Sequence, residues 1–465
     1  MSETKQAEII LEEQTEVSIL NKDISIKFLI KFTLPSILSF FIMYTFFVVD
    51  GVFASRGIDV IAFSAVNVVA PFFGFATAIA AMLAMGGCAL VAKKKGMGLK
   101  KEARENFTLL AITAFVASLI ISGFAFVFMT SLLRLLGVDY NLYSAAREYL
   151  QVIAIGLPFV ILGYFLVQYV IADGRPLLGM IISFSGTIIS TILNAIFIFG
   201  LDLGVTGLAL ATTIGFSFIA VVCLIYFFSK SGTLYFVIPK WDIKVIWTAS
   251  INGLSEAITI LAISVTTIVM NNVLMQIIGH EGIAAAGIVM ALKGVFMGLY
   301  FGYSAGVSPL ISYNYGKQLV SDNPEYSNRL KKLFKKSLLI ISILSIISII
   351  TILSFPGLMV RIFVTSDTEV YLMAKNGIRI ASIAFLLMGF NIFATALFTA
   401  FNDGKISGFL SLMRTLIFTV ILLILLPMAF EINGVWAATP LVEVLSIVLT
   451  IIFIMKMGRK YKYIN

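Results

Sequence analysis

Apolar residues run along this chain in long blocks rather than in alternation. Blocks of about 20 mostly apolar residues, the length that crosses a bilayer core as a helix, begin near Phe28, Ile61, Phe107, Glu148, Leu177 and Val205. A second set begins near Lys244, Ile283, Lys336, Tyr371, Gly408 and Gly434. Strands of a membrane barrel would alternate in units of about ten residues, and these blocks do not. The pattern predicts twelve helical spans, since a helix satisfies its own backbone hydrogen bonds in lipid. A more polar stretch over 229–240 divides them into two sets of six. The expected organisation is a cytoplasmic tail over 1–27, a six-helix lobe over 28–228 and a cytoplasmic linker over 229–243. A second six-helix lobe over 244–456 and a short cytoplasmic tail over 457–465 follow. The first thirty residues carry scattered charges and no cleavage signal after a short apolar core, so they read as a tail and not as a signal peptide.

Composition narrows the class. Of 465 residues, 60% are apolar and 12% charged, against about 25% charged in a soluble protein. A soluble enzyme, a nucleic-acid-binding protein and a disordered scaffold are thereby excluded. The two cysteines, Cys88 and Cys223, lie inside apolar blocks, and His280 is the single histidine. That inventory offers no disulfide framework, no metal-ligand spacing and no Ser/His/Asp set. No catalytic residue, metal or cofactor is expected.

The net charge of +9 is explained by where the charges fall. Lys93, Lys94, Lys95, Lys100, Lys101, Arg104, Lys230, Lys240 and most other basic residues lie in the tails and in every second loop. Only Arg56, Arg134, Arg147, Arg361, Lys375 and Arg379 lie in the opposite loops, while Lys293 and Arg414 remain inside spans. By the positive-inside rule both termini are expected in the cytoplasm, with the basic loops against anionic lipids of the inner leaflet.

The two sets of spans resemble each other. Asp50 to Gly57 matches Asn272 to Gly279, Gly86 to Gly96 matches Gly306 to Gly316, and Ala172-Asp173-Gly174 matches Asn402-Asp403-Gly404, at offsets of 222, 220 and 230. Six helices per repeat, running in the same sense, imply two bundles related by a pseudo-two-fold axis along the membrane normal. A seam between such bundles can open to each side in turn.

Several local sequences carry a resemblance to the multidrug and toxic compound extrusion (MATE) transporters, in particular the bacterial DinF-like branch. They are Leu34-Pro35 with Val49-Asp50, Ala172-Asp-Gly-Arg-Pro176, Asn194-Ala-Ile-Phe-Ile-Phe-Gly200 and Gly204-Val-Thr-Gly-Leu-Ala-Leu-Ala-Thr212. In the second half they are Asn252-Gly-Leu-Ser-Glu256, Val307-Ser-Pro-Leu-Ile-Ser-Tyr-Asn-Tyr-Gly316 and Arg361-Ile-Phe-Val-Thr-Ser-Asp367. The resemblance implies a multi-pass plasma-membrane exporter of small organic amphiphiles, cationic drugs among them. It implies one that works as a monomer by alternating access coupled to H⁺ or Na⁺. A flippase for a lipid-linked saccharide is the alternative within the same architecture, although such proteins line their cavity with several cations.

Charges inside spans are costly and mark function by default. Asp50 stands in the outer half of the first span, where removal from water favours the neutral acid; at the interface it would instead stay hydrated. The resemblance implies ion coupling at Asp50, with partners on the fifth and sixth spans that correspond to Ser190, Asn194 and Thr212. The family's Asn-then-Asp pair is Ser190 and Asn194 here, which removes a second carboxylate and makes a proton the simpler coupling ion. Glu256 is either an acidic partner in the second lobe or a carboxylate favoured by its helix start. Arg414 and Glu443 are expected to brace two neighbouring spans, unless Arg414 pairs with Glu256 as a switch. Lys293 either snorkels or meets Glu256 or Glu443. Met43, Tyr44 and Phe47 precede Asp50 on its helix and are the expected wall of a substrate cavity.

Overall fold

The computed structural model describes residues 23–53, 58, 60–136, 138, 140, 142–321, 323–366 and 368–464, leaving aside the side chains of 46–52, 60–64, 67 and 280. The apolar blocks become α1 (Ile26–Val52), α2 (Val60–Gly96), α3 (Lys100–Val127), α4 (Tyr143–Ala172), α5 (Pro176–Gly200) and α6 (Gly204–Phe228). The second set is α7 (Leu254–Ile277), α8 (His280–Val320), α9 (Pro324–Ser354), α10 (Glu369–Ser382 with Phe385–Ala400), α11 (Gly404–Leu425) and α12 (Pro427–Tyr461). Among the described residues, eleven helices are long and apolar enough to cross a membrane as single helices. The twelfth, α10, is bent by 57° between its two halves. The protein is an all-α, multi-pass membrane protein.

Two of the spans start at a side-chain cap. The Asn323 side chain accepts from the Glu325 N–H at 2.9 Å at the start of α9, and Thr368 caps α10 by accepting from Tyr371 N–H at 3.2 Å. Inside the spans, hydroxyls such as Thr33 and Ser39 donate back to the carbonyls of Leu29 and Pro35 at 2.8 and 2.9 Å. That is how a polar side chain is satisfied where water is absent.

The block expected to begin the seventh span near Lys244 is two elements. Asp242 caps a short helix, Ile243–Asn252, by accepting from Lys244 N–H at 2.9 Å. This helix docks on α2: Asn252 Nδ2 donates to Gly86 O at 3.2 Å. A Cβ on Gly253 would stand 1.9 Å from Met82 O, so backbone meets backbone there. The span itself starts afresh at Leu254.

By its packing the chain divides into two units, one containing Ile42–Gly253 and the other Ile24–Phe41 with Leu254–Asn465. The first half of α1 therefore belongs with the second unit, where it lies against Gly302 and Gly306 of α8; a Cβ on Gly302 would come within 2.5 Å of Ile37 Cα. The first unit packs around Phe107, Phe165, Tyr169 and Phe227, with ring centroids 4.6 Å apart for Phe107–Phe227 and 5.0 Å for Phe107–Tyr169. The second packs around Val289, Tyr300, Ile378, Phe385 and Trp436.

At one end of each unit an aspartate follows a span. Asp173, after α4, is fully buried. Its Oδ1 accepts from Thr233 Oγ1 at 2.6 Å, Leu234 N–H at 3.0 Å and Lys95 Nζ at 3.1 Å, and its Oδ2 from Tyr226 OH at 2.9 Å. Arg104 Nε adds a bond to Thr233 O at 2.8 Å, and Arg175 donates to Ser231 O at 2.5 Å. The stretch after α6 is thus strapped to the base of its own unit. Asp403, after α10, accepts from Tyr461 OH at 2.6 Å and Lys460 Nζ at 3.4 Å. The Tyr461 ring stacks on Phe401 with centroids 4.5 Å apart.

Candidate functional site

The charged residues that the sequence leaves scattered over four spans of the second unit converge. Arg414 lies in a π-helical turn of α11, Met413–Phe418, and Thr419 Oγ1 donates to its carbonyl at 2.8 Å. Such a turn widens the helix locally and is frequent at functional positions. Arg414 Nε donates to Glu443 Oε1 of α12 at 3.1 Å, and both side chains are buried. The other carboxylate oxygen of Glu443, Oε2, accepts from Asn391 Nδ2 at 2.7 Å, and the same amide reaches the Glu443 carbonyl at 3.1 Å. Thr450 Oγ1 then donates to Asn391 Oδ1 at 2.8 Å, which fixes the amide's orientation.

Two further groups extend this cluster. Lys293 of α8 interacts electrostatically with both Glu443 and Arg414, and Glu256 of α7 with Arg414. Two cations and two carboxylates thus occupy one apolar bundle. Removing an ion from water costs several kcal/mol, and a buried pair recovers this only when its remaining donors and acceptors are bonded. Glu443 meets that condition through Asn391. Glu256 and Arg414 are held in register by hydroxyls between α7 and α11: Thr259 Oγ1 lies 2.8 Å from Ser411 Oγ, and Ser411 donates to Ser255 O at 2.9 Å. The brace of Arg414 on Glu443 forms, while Lys293 acts on that pair and Glu256 on Arg414 electrostatically.

In the first unit, Ser190 and Asn194 are buried on one face of α5, and Thr212 is buried on α6. Ser190 lies against α6 at Gly215, where a Cβ would stand 2.8 Å from Ser190 Cβ. The face is polar and uncharged. Met43 and Tyr44 are half-buried on α1. Asp50 and Phe47 are side chains outside the described residues. Among the described residues, no group of three or more His, Cys, Asp or Glu is placed to hold a metal ion.

Sequence reasoning missed Asn391 and Thr450. The available signal was an amide inside the apolar run Gly389-Phe-Asn-Ile-Phe-Ala394, since a polar side chain in a span needs a partner.

Comparison with known proteins bears on this arrangement. The sequence profile of the family described as MatE matches residues 35–196 and 256–425. The chain is 26% identical over 409 residues to the multidrug export protein MepA of Staphylococcus haemolyticus, covering 86% of each chain. To MepA of Staphylococcus aureus it is 24% identical over 380 residues, covering 81% of this chain and 80% of that one. Among solved structures, an outward-facing multidrug resistance MATE transporter of the MOP superfamily superposes with a TM-score of 0.87 at 19% identity, covering 95% and 98% of the two chains. A variant of the Vibrio cholerae MATE transporter VcmN gives 0.86 at 17% identity, covering 97% and 100%. The structures agree in fold, and the profile covers Ser190 and Asn194 in the first set of helices and Glu256, Lys293, Asn391 and Arg414 in the second. The chain belongs to the MatE family, the multidrug and toxic compound extrusion transporters.

Proposed function

We propose that this transporter exports small organic amphiphiles, cationic drugs among them, across the plasma membrane by alternating access, driven by protons entering at Asp50. It works as a single chain with both termini in the cytoplasm, the side favoured by its basic loops. The multidrug export proteins to which it is similar support the substrate class.

The observation that carries the choice of ion is the distribution of satisfied carboxylates. Glu443 is held by Arg414 and Asn391, with both oxygens accepting hydrogen bonds. The buried face formed by Ser190, Asn194 and Thr212 adds polar atoms and no second carboxylate. A sodium site gains from several anionic oxygens, whereas a proton needs one acid that can change its charge. Protonation of Asp50 from outside would neutralise its carboxylate and alter the packing of α1, releasing substrate outward; return of the proton to the inside would reload the transporter. One charge crossing about 100 mV supplies about 2.3 kcal/mol, enough to hold a neutral amphiphile at a roughly fiftyfold gradient at about 1.36 kcal/mol per decade; one proton exchanged for one monovalent cation moves no net charge and draws on the pH difference instead. A flippase for a diphosphate-linked saccharide is disfavoured, because Arg414 is already engaged by Glu443.

Counterflow of a cationic dye in proteoliposomes tests this. A pH gradient, acid on the side opposite dye loading, is expected to drive dye movement, and a sodium gradient at constant pH is not. Asp50→Asn is expected to abolish the pH-driven flux while the protein still inserts. Flux that follows sodium alone, or full flux in Asp50→Asn, would sink the reading.

A further inference from the structure

The stretch joining α6 to α7 is held at both ends and apolar in the middle. On one side, Val237 N–H donates to Thr108 Oγ1 at 3.1 Å, and the Tyr235 ring lies 4.1 Å from the Arg104 guanidinium and 5.3 Å from Lys230 Nζ. On the other side, Ala249 and Asn252 are buried against α2. Between these anchors, Ile238 is 94% exposed, Trp241 70%, Ile243 64% and Trp247 68%. Lys240 and Lys244 are exposed among them. The one acid in the segment, Asp242, spends its carboxylate on the cap of the short helix.

Ten residues of helix, Ile243–Asn252, are too few to cross a bilayer. They are enough to lie along its surface, with Ile243 and Trp247 four apart on one face. Two of the three tryptophans in the chain are placed here, while the third, Trp436, is buried. Tryptophan is favoured at headgroup depth because its ring is apolar and its N–H polar. A second copy of the chain is a poor occupant, since a self-complementary contact would bring together two lysines from each copy with one acid apiece, Asp242, already engaged in the helix cap.

We propose that residues 238–247 form an interfacial anchor, in which Ile238, Trp241, Ile243 and Trp247 enter the headgroup layer and Lys240 and Lys244 select anionic phospholipids. The anchor is pinned to the base of the first unit by the bonds around Asp173, Arg104 and Thr108, so it holds that unit at a fixed depth. Each lysine near an anionic surface favours it by about fivefold.

The test uses the intact transporter in vesicles of equal parts phosphatidylcholine and phosphatidylglycerol, with bromine placed near the carbonyls of one lipid at a time. Tryptophan emission is expected to be quenched by either lipid, and at least about twofold more by the brominated phosphatidylglycerol. Trp241→Phe with Trp247→Phe is expected to remove most of the quenching, leaving only that of Trp436. Lys240→Gln with Lys244→Gln is expected to keep the quenching and bring the ratio between lipids to about one. Quenching in the unaltered protein no greater than in the double tryptophan variant would overturn the anchor, as happens if another part of the chain or a second copy covers the face. A ratio of one in the unaltered protein would overturn the anionic preference.

Discussion

Asp173 and Asp403 occupy equivalent places, 230 residues apart, each just after the fourth helix of its repeat. Each is gripped by a tyrosine from the end of the sixth helix, Tyr226 in one unit and Tyr461 in the other. Their surroundings differ. Asp173 is sealed by the stretch after α6, which brings Thr233 and the Leu234 N–H, and by Lys95 at 3.1 Å with 9% side-chain exposure. Lys95 corresponds, at the offset of 220, to Tyr315, which acts on Asp403 electrostatically and meets the Tyr461 ring edge-on at 5.5 Å. The cation beside Asp403 is instead Lys460, 60% exposed and 3.4 Å away. One framework thus supports a buried ionic clamp in the first unit and an aromatic, partly hydrated one in the second. The repeat fixes the place of the carboxylate, and the segment that follows the sixth helix decides how much the contact is worth.

The comparison can be broken most sharply at Asp173. Asp173→Asn removes the buried carboxylate paired with the Lys95 ammonium, a loss of about 4 kcal/mol. A large drop in thermal stability in detergent is expected, and Lys95→Met on the same background should recover part of it. A second ionic contact of the same kind lies between spans. Arg414→Met removes the guanidinium paired with the buried Glu443 carboxylate and is expected to cost about 3 kcal/mol, whereas Arg414→Met with Glu443→Leu should come close to the parent stability. If that double variant is stable and yet fails to transport in the dye assay, the Arg414–Glu443 pair is a working part and not only a brace. At the aromatic clamp the effects shrink. Asp403→Asn removes an exposed ion pair and one tyrosine hydrogen bond, and is expected to cost about 1 kcal/mol. A penalty at Asp403 equal to that at Asp173 would show that the two clamps do not differ as their burial implies.

The intramembrane chemistry departs from the repeat in the same way. At the offset of 230, Glu443 and Asn391 correspond to Thr213 and Ile161, and Asn194 corresponds to Ile424. Neither unit copies the other's polar residues, although the helices that carry them are equivalent. The sequence makes the anomalous residues visible, because any charge in an apolar block is conspicuous. It does not say which meets which. Arg414 and Glu443 lie on adjacent spans and their pairing is readable as an expectation. Asn391, the group that completes Glu443, is 52 residues away across a bent helix, and nothing local marks the contact. The start of the seventh span is hidden in the sequence for a related reason. Hydropathy continues through Ile243–Asn252, and only the backbone contact of Gly253 with α2 breaks the run.

The sequence by itself determined that this is a twelve-span helical protein built from two similar halves, because bilayer thickness and backbone hydrogen bonding leave an apolar block no other form. It also determined the family, through residues kept in order along nearly the whole chain, and the short roster of charges inside spans. Tertiary structure alone decided that Glu443 is satisfied by Arg414 and Asn391, that Glu256 and Lys293 share their cluster, and that the stretch after α6 is pinned to Asp173 with its tryptophans turned outward. The physical reason is range: lipid acts on each block independently, so its demands are written locally, whereas the neutralisation of a buried charge depends on groups brought close only when the helices pack.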